Sequence, residues 1–141
     1  MDNSLKRKVR KLTWAEYGQY IDRLLVLLEE IQKERLCSEM EWTEVVGVPR
    51  GGLPIAVAAS HRLEIPLLAD CYPIETVGMW RENLLFVDDI VDSGETRAKI
   101  LASVRGEHAW GSIFVRPETS PFVNVFVEVT EDWIQFPYEI R

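Results

Sequence analysis

Two adjacent carboxylates, followed by a loop of small and hydroxyl-bearing residues, carry the clearest chemical signal in this chain. Four apolar residues, 84–87, precede Asp88 and Asp89, which is typical of a strand that is buried on both faces and ends at the acids. The two acids can accept hydrogen bonds from sugar hydroxyls, or hold Mg2+ directly or through its waters. The loop behind them leads into a helix-compatible run and offers N–H and hydroxyl groups to a phosphate; its residues are Asp92, Ser93, Gly94, Glu95 and Thr96. The stretch predicts a site for a phosphorylated sugar and a metal ion.

A second candidate loop, Arg50-Gly51-Gly52, lies between a predicted strand at 44–48 and a predicted helix at 53–63. Two consecutive glycines let the backbone come close to a ligand. The Arg50 guanidinium can bind phosphate oxygens through two parallel hydrogen bonds. On its own, an Arg-Gly-Gly sequence is more typical of a plain tight turn than of a ligand-binding loop.

The elements that must position these loops alternate between helix and strand. Thr13 and Glu16 form a capping box, and apolar residues at steps of three and four predict a helix to about residue 33. Further strands are expected at 66–71, from about 83, at 111–115 and at 122–129, with a helix from 95 to about 105. This order predicts a doubly wound α/β domain with a mainly parallel sheet, spanning residues 12–141, with the site at the carboxyl edge of the strands. Residues 1–11 are expected to form a basic, partly disordered lead-in.

Composition narrows the class of protein. A chain of 141 residues suits one domain with one core. A net charge of −7 argues against general binding to nucleic acid or anionic membranes, and no apolar run approaches the roughly 20 residues of a membrane span. Cys37 and Cys71 lack metal-ligand spacing and are expected to be free thiols in a reducing compartment. We therefore expect a cytoplasmic protein.

Residues 84–96 resemble the phosphoribosyl pyrophosphate (PRPP) motif of type I phosphoribosyltransferases: an apolar strand, two acids, two further residues, then Asp-Ser/Thr-Gly-x-Thr. Every position of that motif is matched. Apolar runs ending in two acids also occur in nucleoside triphosphatases, but those need a Gly-Lys loop upstream, and this sequence has no Gly-Lys pair. Residues 46–54, 113–117 and 133–138 look like the xanthine/guanine/hypoxanthine branch, so the resemblance covers nearly the whole chain from about Leu12.

The resemblance implies a Mg2+-dependent transfer of phosphoribose from PRPP to a purine. Arg50, Gly51 and Gly52 would form the pyrophosphate loop, one strand-helix-strand unit before the acidic loop. Asp88 and Asp89 would bind the ribose and the metal, and residues 92–96 the ribose 5-phosphate. Arg50 and Asp92 would be the catalytic residues, with Asp92 as the general acid/base at the imidazole edge of the purine. The alternative for Asp92 is an aspartate that only stabilises its turn.

The resemblance also implies a base pocket near the end of the chain. Trp133 would stack on the base, and the backbone of Ile134 would recognise its exocyclic groups, unless the tail is simply a packed terminus. Arg116 stands where the purine branch carries a lysine for the 6-oxo group. An arginine can donate there too, but its planar fork differs from an ammonium point charge.

One departure from the family pattern concerns the hood loop that normally closes over the sugar, because only residues 72–82 are left for it. Such lids exclude water, so a shortened hood bears on turnover. Trp80 and Arg81 would either cover the site in part or form an exposed turn.

The expected partners are PRPP and a 6-oxopurine (guanine, xanthine or hypoxanthine). We expect a homo-oligomer that binds neither nucleic acid nor membranes. Two alternatives are a non-catalytic PRPP or nucleotide-binding regulator and a phosphoribosyltransferase for another base.

Overall fold

The computed structural model of the chain describes residues 7–37, 41–68 and 82–139. Its centre is a five-stranded sheet in the order β3-β2-β4-β5-β6, in which every neighbouring pair is parallel. The strands are β2 (Glu44–Gly47), β3 (Leu67–Leu68), β4 (Leu84–Val91), β5 (His108–Val115) and β6 (Val125–Val129). The motif strand β4 is the middle strand, so the predicted phosphate loop leaves the centre of the sheet.

Helices lie on both faces of this sheet. They are α1 (Trp14–Cys37), α2 (Leu53–Leu63) and the shorter α3 (Glu95–Leu101). Successive side chains of a strand point to opposite faces, and β4 divides accordingly. One apolar cluster joins Leu85 and Val87 to side chains of α1 and α2, and a second joins Leu84 and Phe86 to Ile100 of α3. The predicted doubly wound α/β fold is therefore confirmed.

The start of α1 follows the capping box. The Glu16 carboxylate accepts the Thr13 N–H at 2.9 Å, and the Thr13 hydroxyl accepts the Glu16 N–H at 3.1 Å. The helix extends to Cys37, a turn beyond the predicted end. Helix α2 matches the predicted residues 53–63. None of the helices in the described ranges is both long and apolar enough to cross a membrane.

Two predicted element ends are wrong. The strand expected to end at the acids continues through them to Val91, because Ile90 and Val91 keep pairing with Phe114 and Val115 of β5. The helix expected to reach about residue 105 ends at Leu101. The N–H groups of Ser103 and Val104 bond to carbonyls three residues back, which tightens the chain out of the α-helix.

Two strand starts also differ from prediction. Strand β5 begins at His108 rather than 111, because Leu84 and Leu85 of β4 pair with His108 and Ala109. Strand β6 begins at Val125 rather than 122, because Ser120–Phe122 is a short 3-10 helix. Strand β3 falls within the predicted 66–71. The segment read as a shortened hood, including Trp80 and Arg81, lies almost entirely outside the described residues.

A second, two-stranded sheet was absent from the predictions. Strands β1 (Val9–Lys11) and β7 (Trp133–Gln135) pair in parallel, with Arg10 opposite Ile134. The Arg10 guanidinium forms an ion pair with Glu128 and donates a hydrogen bond to the Tyr20 hydroxyl at 3.2 Å. Residues 9–11 of the predicted basic lead-in are therefore ordered and held by tertiary contacts.

Candidate active site

A cavity of about 850 Å³ opens at the carboxyl edge of the parallel sheet, where ligands bind in open α/β sheets. Its wall comes from the turn after β2, the ends of β4 and β5, and the segment around β7. Seven of the predicted site residues line it: Arg50, Gly51, Asp89, Asp92, Arg116, Trp133 and Ile134. Loops far apart in the sequence thus meet around one space.

The remaining motif residues line a smaller cavity of about 100 Å³ next to the loop after β4. Those residues are Asp88, Ser93, Gly94, Glu95 and Thr96, with Asp92 shared between the two cavities. Gly94 has φ +85°, a conformation that favours glycine. The Ser93 hydroxyl accepts the Glu95 N–H at 3.3 Å. The motif therefore divides into a small loop pocket and a larger open cavity, with Asp92 between them.

The two glycines after Arg50 pack against β4. A Cβ built on Gly51 would lie 1.9 Å from Oδ2 of Asp89. A Cβ on Gly52 would lie 2.3 Å from the Val87 carbonyl oxygen. The peptide between Pro49 and Arg50 is cis. The glycines are thus required by the contact between this turn and the central strand, and Gly52 lies behind the cavity wall.

The adjacent acids differ in environment. Asp88 is buried, and its Oδ1 accepts the Asp89 N–H at 2.8 Å. Burial, and after it the neighbouring Asp89 carboxylate, raises the pKa of Asp88 well above its usual range. Asp89 is half-buried; its Oδ1 accepts the Ile90 N–H at 2.7 Å and its Oδ2 accepts the Tyr138 hydroxyl. Asp88 therefore resists ionisation in the folded protein, and burial is the larger cause.

The carboxylates of the site suit a metal ion that binds together with a phosphorylated substrate. In the parts of the chain that the structure describes, no group of three His, Cys, Asp or Glu side chains converges as a metal cage. Asp89 and Asp92 both face the larger cavity. Mg2+ commonly binds through one or two carboxylates, substrate phosphates and retained waters. The site can hold Mg2+ in that manner.

Arg116 follows β5 and is 3% exposed. Its Nε donates to Oδ1 of Asp92 at 2.8 Å. Its Nη1 donates to the carbonyl oxygens of Thr130 at 3.0 Å and Asp132 at 2.5 Å. Arg116, the predicted contact for the base, therefore lies in the cavity wall, and its Nε and Nη1 already donate hydrogen bonds to protein groups.

The predicted stacking residue is open to solvent. Trp133 is 50% exposed, whereas the Ile134 side chain is buried. The Trp133 N–H donates to Lys8 and the Gln135 carbonyl accepts the Leu12 N–H. Since alternate residues of a parallel strand bond to one neighbour, the N–H and C=O of Ile134 point away from β1. That direction suits backbone recognition of a ligand edge.

Several site residues were missed from the sequence. Tyr138 bonds to Asp89, Trp14 lines the larger cavity, and Arg97 lines the small one. Burial raises the pKa of Tyr138, as it does for Tyr17, whose pKa rises to about 12, and nearby Asp89 adds to both shifts. Arg97 could have been suspected, because it stands one position after Thr96 at the start of a helix. The others depend on contacts across the fold.

Comparisons with known proteins show what the chain resembles in sequence and in fold. The chain is 29% identical over 120 residues to a xanthine-guanine phosphoribosyltransferase of Cereibacter sphaeroides, covering 70% of each chain. It is 27% identical over 149 aligned positions to one of Nitratidesulfovibrio vulgaris, covering 94% of this chain and 86% of the relative. A purine phosphoribosyltransferase structure from Pyrococcus horikoshii matches 95% of both chains with a TM-score of 0.70 and 25% identity. No family model matches the chain.

By its parallel sheet and these similarities, the chain is related in sequence and fold to the type I phosphoribosyltransferases. Of the relatives named above, two are named xanthine-guanine phosphoribosyltransferases and the third is named a purine phosphoribosyltransferase.

Proposed function

We propose that this protein transfers phosphoribose from PRPP to a 6-oxopurine, giving a nucleoside monophosphate and pyrophosphate. One observation carries the proposal. The larger cavity is lined by the predicted pyrophosphate turn, by Asp89 and Asp92 of the PRPP motif and by the aromatic segment around β7, and it adjoins the phosphate-loop pocket. A PRPP molecule and a planar base need these neighbouring sites.

During the proposed reaction, positive charge develops on the ribose while the negatively charged pyrophosphate leaves. A purine ring nitrogen bonds to C1 of the ribose as the bond from C1 to the pyrophosphate oxygen breaks, and the ribose becomes cation-like on the way. Arg50 and the Gly51 amide would hold the leaving pyrophosphate, and one preorganised donor of this kind can contribute roughly 3–4 kcal/mol. Residues 93–96 would bind the 5-phosphate, and Arg97 adds a cation beside them.

Asp92 would accept the proton that the purine loses. Its carboxylate lines both cavities, between the phosphate loop and the base. A positioned general base contributes typically 10²–10⁴-fold. Trp133 would stack on the base, worth roughly 1–3 kcal/mol, and the outward-pointing backbone of Ile134 would recognise its exocyclic groups.

Mg2+ is proposed as the cofactor, and when bound it would neutralise charge on the pyrophosphate. Asp89 is the better-placed protein contact for it, since Asp88 lines the smaller pocket and is buried. Homo-oligomerisation and a cytoplasmic location stay predictions.

A second candidate function is a regulator that binds PRPP or a nucleotide without turning it over, and the short segment 72–82 favours it. The intact Arg50 turn and Asp92 favour the enzyme, since a sensor has less need of a pyrophosphate site and of a proton acceptor. A phosphoribosyltransferase for another base is a third possibility, to be decided by the pocket around Trp133.

The enzyme proposal is tested by pyrophosphate release from Mg2+-PRPP and guanine, with Asp92→Ala as the matched variant. We expect the variant to lose turnover while calorimetry gives PRPP affinity close to that of the native protein. Unchanged turnover in Asp92→Ala would remove this residue from the mechanism. PRPP binding by the native protein without any turnover would favour the regulator.

A further inference from the structure

We propose that Arg116 is a positioning residue for Asp92 and takes no part in recognising the base. This inference rests on the proposed function. It assigns Arg116 a role different from the one that its place in the sequence suggests, and it leaves base recognition to Trp133 and Ile134.

The two partners differ in exposure. The Arg116 side chain is 4% exposed and that of Asp92 is 49% exposed, while Nε and Oδ1 lie 2.8 Å apart. One end of the pair is therefore fixed in the protein and the other faces the ligand cavities. An ion pair between two exposed side chains would not orient either partner, but a buried guanidinium can hold a carboxylate in one direction.

Backbone carbonyls hold Arg116 in place. Nη1 donates to Thr130 and Asp132, both in the connection between β6 and β7. The Arg116 N–H donates to the Thr119 hydroxyl at 3.0 Å, and that hydroxyl donates to the Val91 carbonyl at 2.8 Å. Turning the guanidinium toward a base would leave buried carbonyl groups without these donors, which is unfavourable.

The β6–β7 connection is itself held by Arg10. Arg10 donates to the Thr130 hydroxyl at 3.3 Å and lies 3.4 Å from the Asp132 carboxylate. The same Thr130 hydroxyl accepts the Asp132 N–H at 3.0 Å. The carbonyls that fix Arg116 therefore sit in a cross-linked segment, and strand β1 supports the position of Asp92 through it.

The Arg116→Lys variant separates the two roles by steady-state kinetics with guanine, xanthine and hypoxanthine. A lysine keeps the charge and could still donate to a 6-oxo group, but one ammonium nitrogen cannot replace the arginine fork toward Asp92 and two carbonyls. A positioning role predicts that kcat falls about ten- to a hundredfold, by the same factor for every base, with little change in the KM for the base.

Retained kcat in Arg116→Lys would overturn the proposal. KM changes that differ between bases would also overturn it and would make Arg116 a base reader. Arg62→Lys is the matched control. It alters another arginine-carboxylate pair, with Glu29 between the helices and outside the cavities, and should leave both constants unchanged.

A measurement on the native fold does not depend on activity. The Arg116 Nε–H resonance, assigned by its loss in Arg116→Lys, should be slow to exchange with solvent in the native protein and should exchange faster in Asp92→Ala. It should respond alike to ribose 5-phosphate and to GMP. A resonance that is indifferent to Asp92→Ala, or that moves only with the base-bearing ligand, would overturn the proposal. If the native protein has no transferase activity, the proposed function fails, and this spectrum still decides whether Arg116 holds Asp92.

Discussion

The hydroxyl of Tyr138 donates a hydrogen bond to Oδ2 of Asp89, which lies 49 positions earlier in the chain. The Tyr138 ring stacks on Phe136, with centroids 5.5 Å apart, and meets Tyr17 edge-on at 5.6 Å. The same carboxylate oxygen lies against Gly51. Asp89 is therefore held between the Arg50-Gly51-Gly52 turn and the C-terminal aromatic segment.

Tyr138→Phe should weaken PRPP binding. The variant keeps the ring and removes the hydroxyl that donates to Oδ2 of Asp89, so within the described part of the chain this carboxylate is oriented only by the hydrogen bond from the Ile90 N–H to Oδ1. We expect the KM for PRPP to rise about three- to tenfold, as for the loss of one hydrogen bond worth about 1 kcal/mol, with a smaller change in the KM for the base. An unchanged KM for PRPP, at an unchanged melting temperature, would show that the hydrogen bond has no part in PRPP binding.

Gly51→Ala should reduce the affinity for PRPP, whereas Gly52→Ala should reduce the stability of the fold. The Cβ at Gly51 meets a carboxylate that can swing aside, so we expect a folded protein whose PRPP affinity drops at least about tenfold, or roughly 1.4 kcal/mol. The Cβ at Gly52 meets the Val87 carbonyl and the Val48 N–H, which belong to backbone. Overpacking there should cost about 1–3 kcal/mol of unfolding free energy or more.

Calorimetric PRPP titration and urea unfolding, applied to both glycine variants, separate the two effects. The expected pattern is impaired binding with near-native stability for Gly51→Ala, and reduced stability for Gly52→Ala. Equal losses of stability would contradict the packing described for this turn.

Trp133→Ala should weaken base binding with little effect on PRPP. Loss of a stacking face is worth roughly 1–3 kcal/mol, so the KM for guanine should rise at least about fivefold. Trp133→Phe should restore part of the affinity. Trp14→Ala is the matched control, because this exposed tryptophan lines the same cavity from α1. A loss in Trp14→Ala as large as in Trp133→Ala would contradict the assigned stacking face.

Asp88→Asn should stabilise the Mg2+-free protein in a pH-dependent way. Burial and the Asp89 carboxylate raise the pKa of Asp88 in the folded state. In the unfolded chain the pKa of an aspartate is about 3.9. The folded state therefore loses stability as the pH rises from that value through the raised pKa of Asp88. Asparagine carries no such penalty, and its Oδ1 can still accept the Asp89 N–H.

The gain in unfolding free energy from Asp88→Asn should therefore be larger at pH 8 than near pH 4.5, in urea titrations of both proteins. A gain that is independent of pH, or a loss that grows with pH, would show that burial does not raise the pKa of Asp88 in the folded state.

Local signals predicted most of the main domain. The capping box of Thr13 and Glu16 and the glycine turn before Leu53 place the two long helices, because their hydrogen bonds and backbone needs are encoded within a few residues. The complete PRPP motif likewise indicated Asp89 and Asp92, which the fold brings beside Arg50.

Contacts between residues that are distant in the sequence could not be predicted from it. Strand β1 has three residues, two of them basic, and pairs with β7 near the other end of the chain, so no periodic pattern announces it. The role inferred for Arg116 depends on where its side chain points and on the carbonyls of the β6–β7 connection. Neither can be read from its position after an apolar strand.

The central claim is tested most directly by an ultraviolet assay of the purified protein with Mg2+ and PRPP. Guanine, xanthine, hypoxanthine and adenine are offered separately, with pyrophosphate and phosphate followed in parallel. We expect a 6-oxopurine nucleoside monophosphate to form together with an equal amount of pyrophosphate. No nucleotide with any base, alongside calorimetric binding of PRPP, would contradict the enzyme and favour a PRPP-binding regulator.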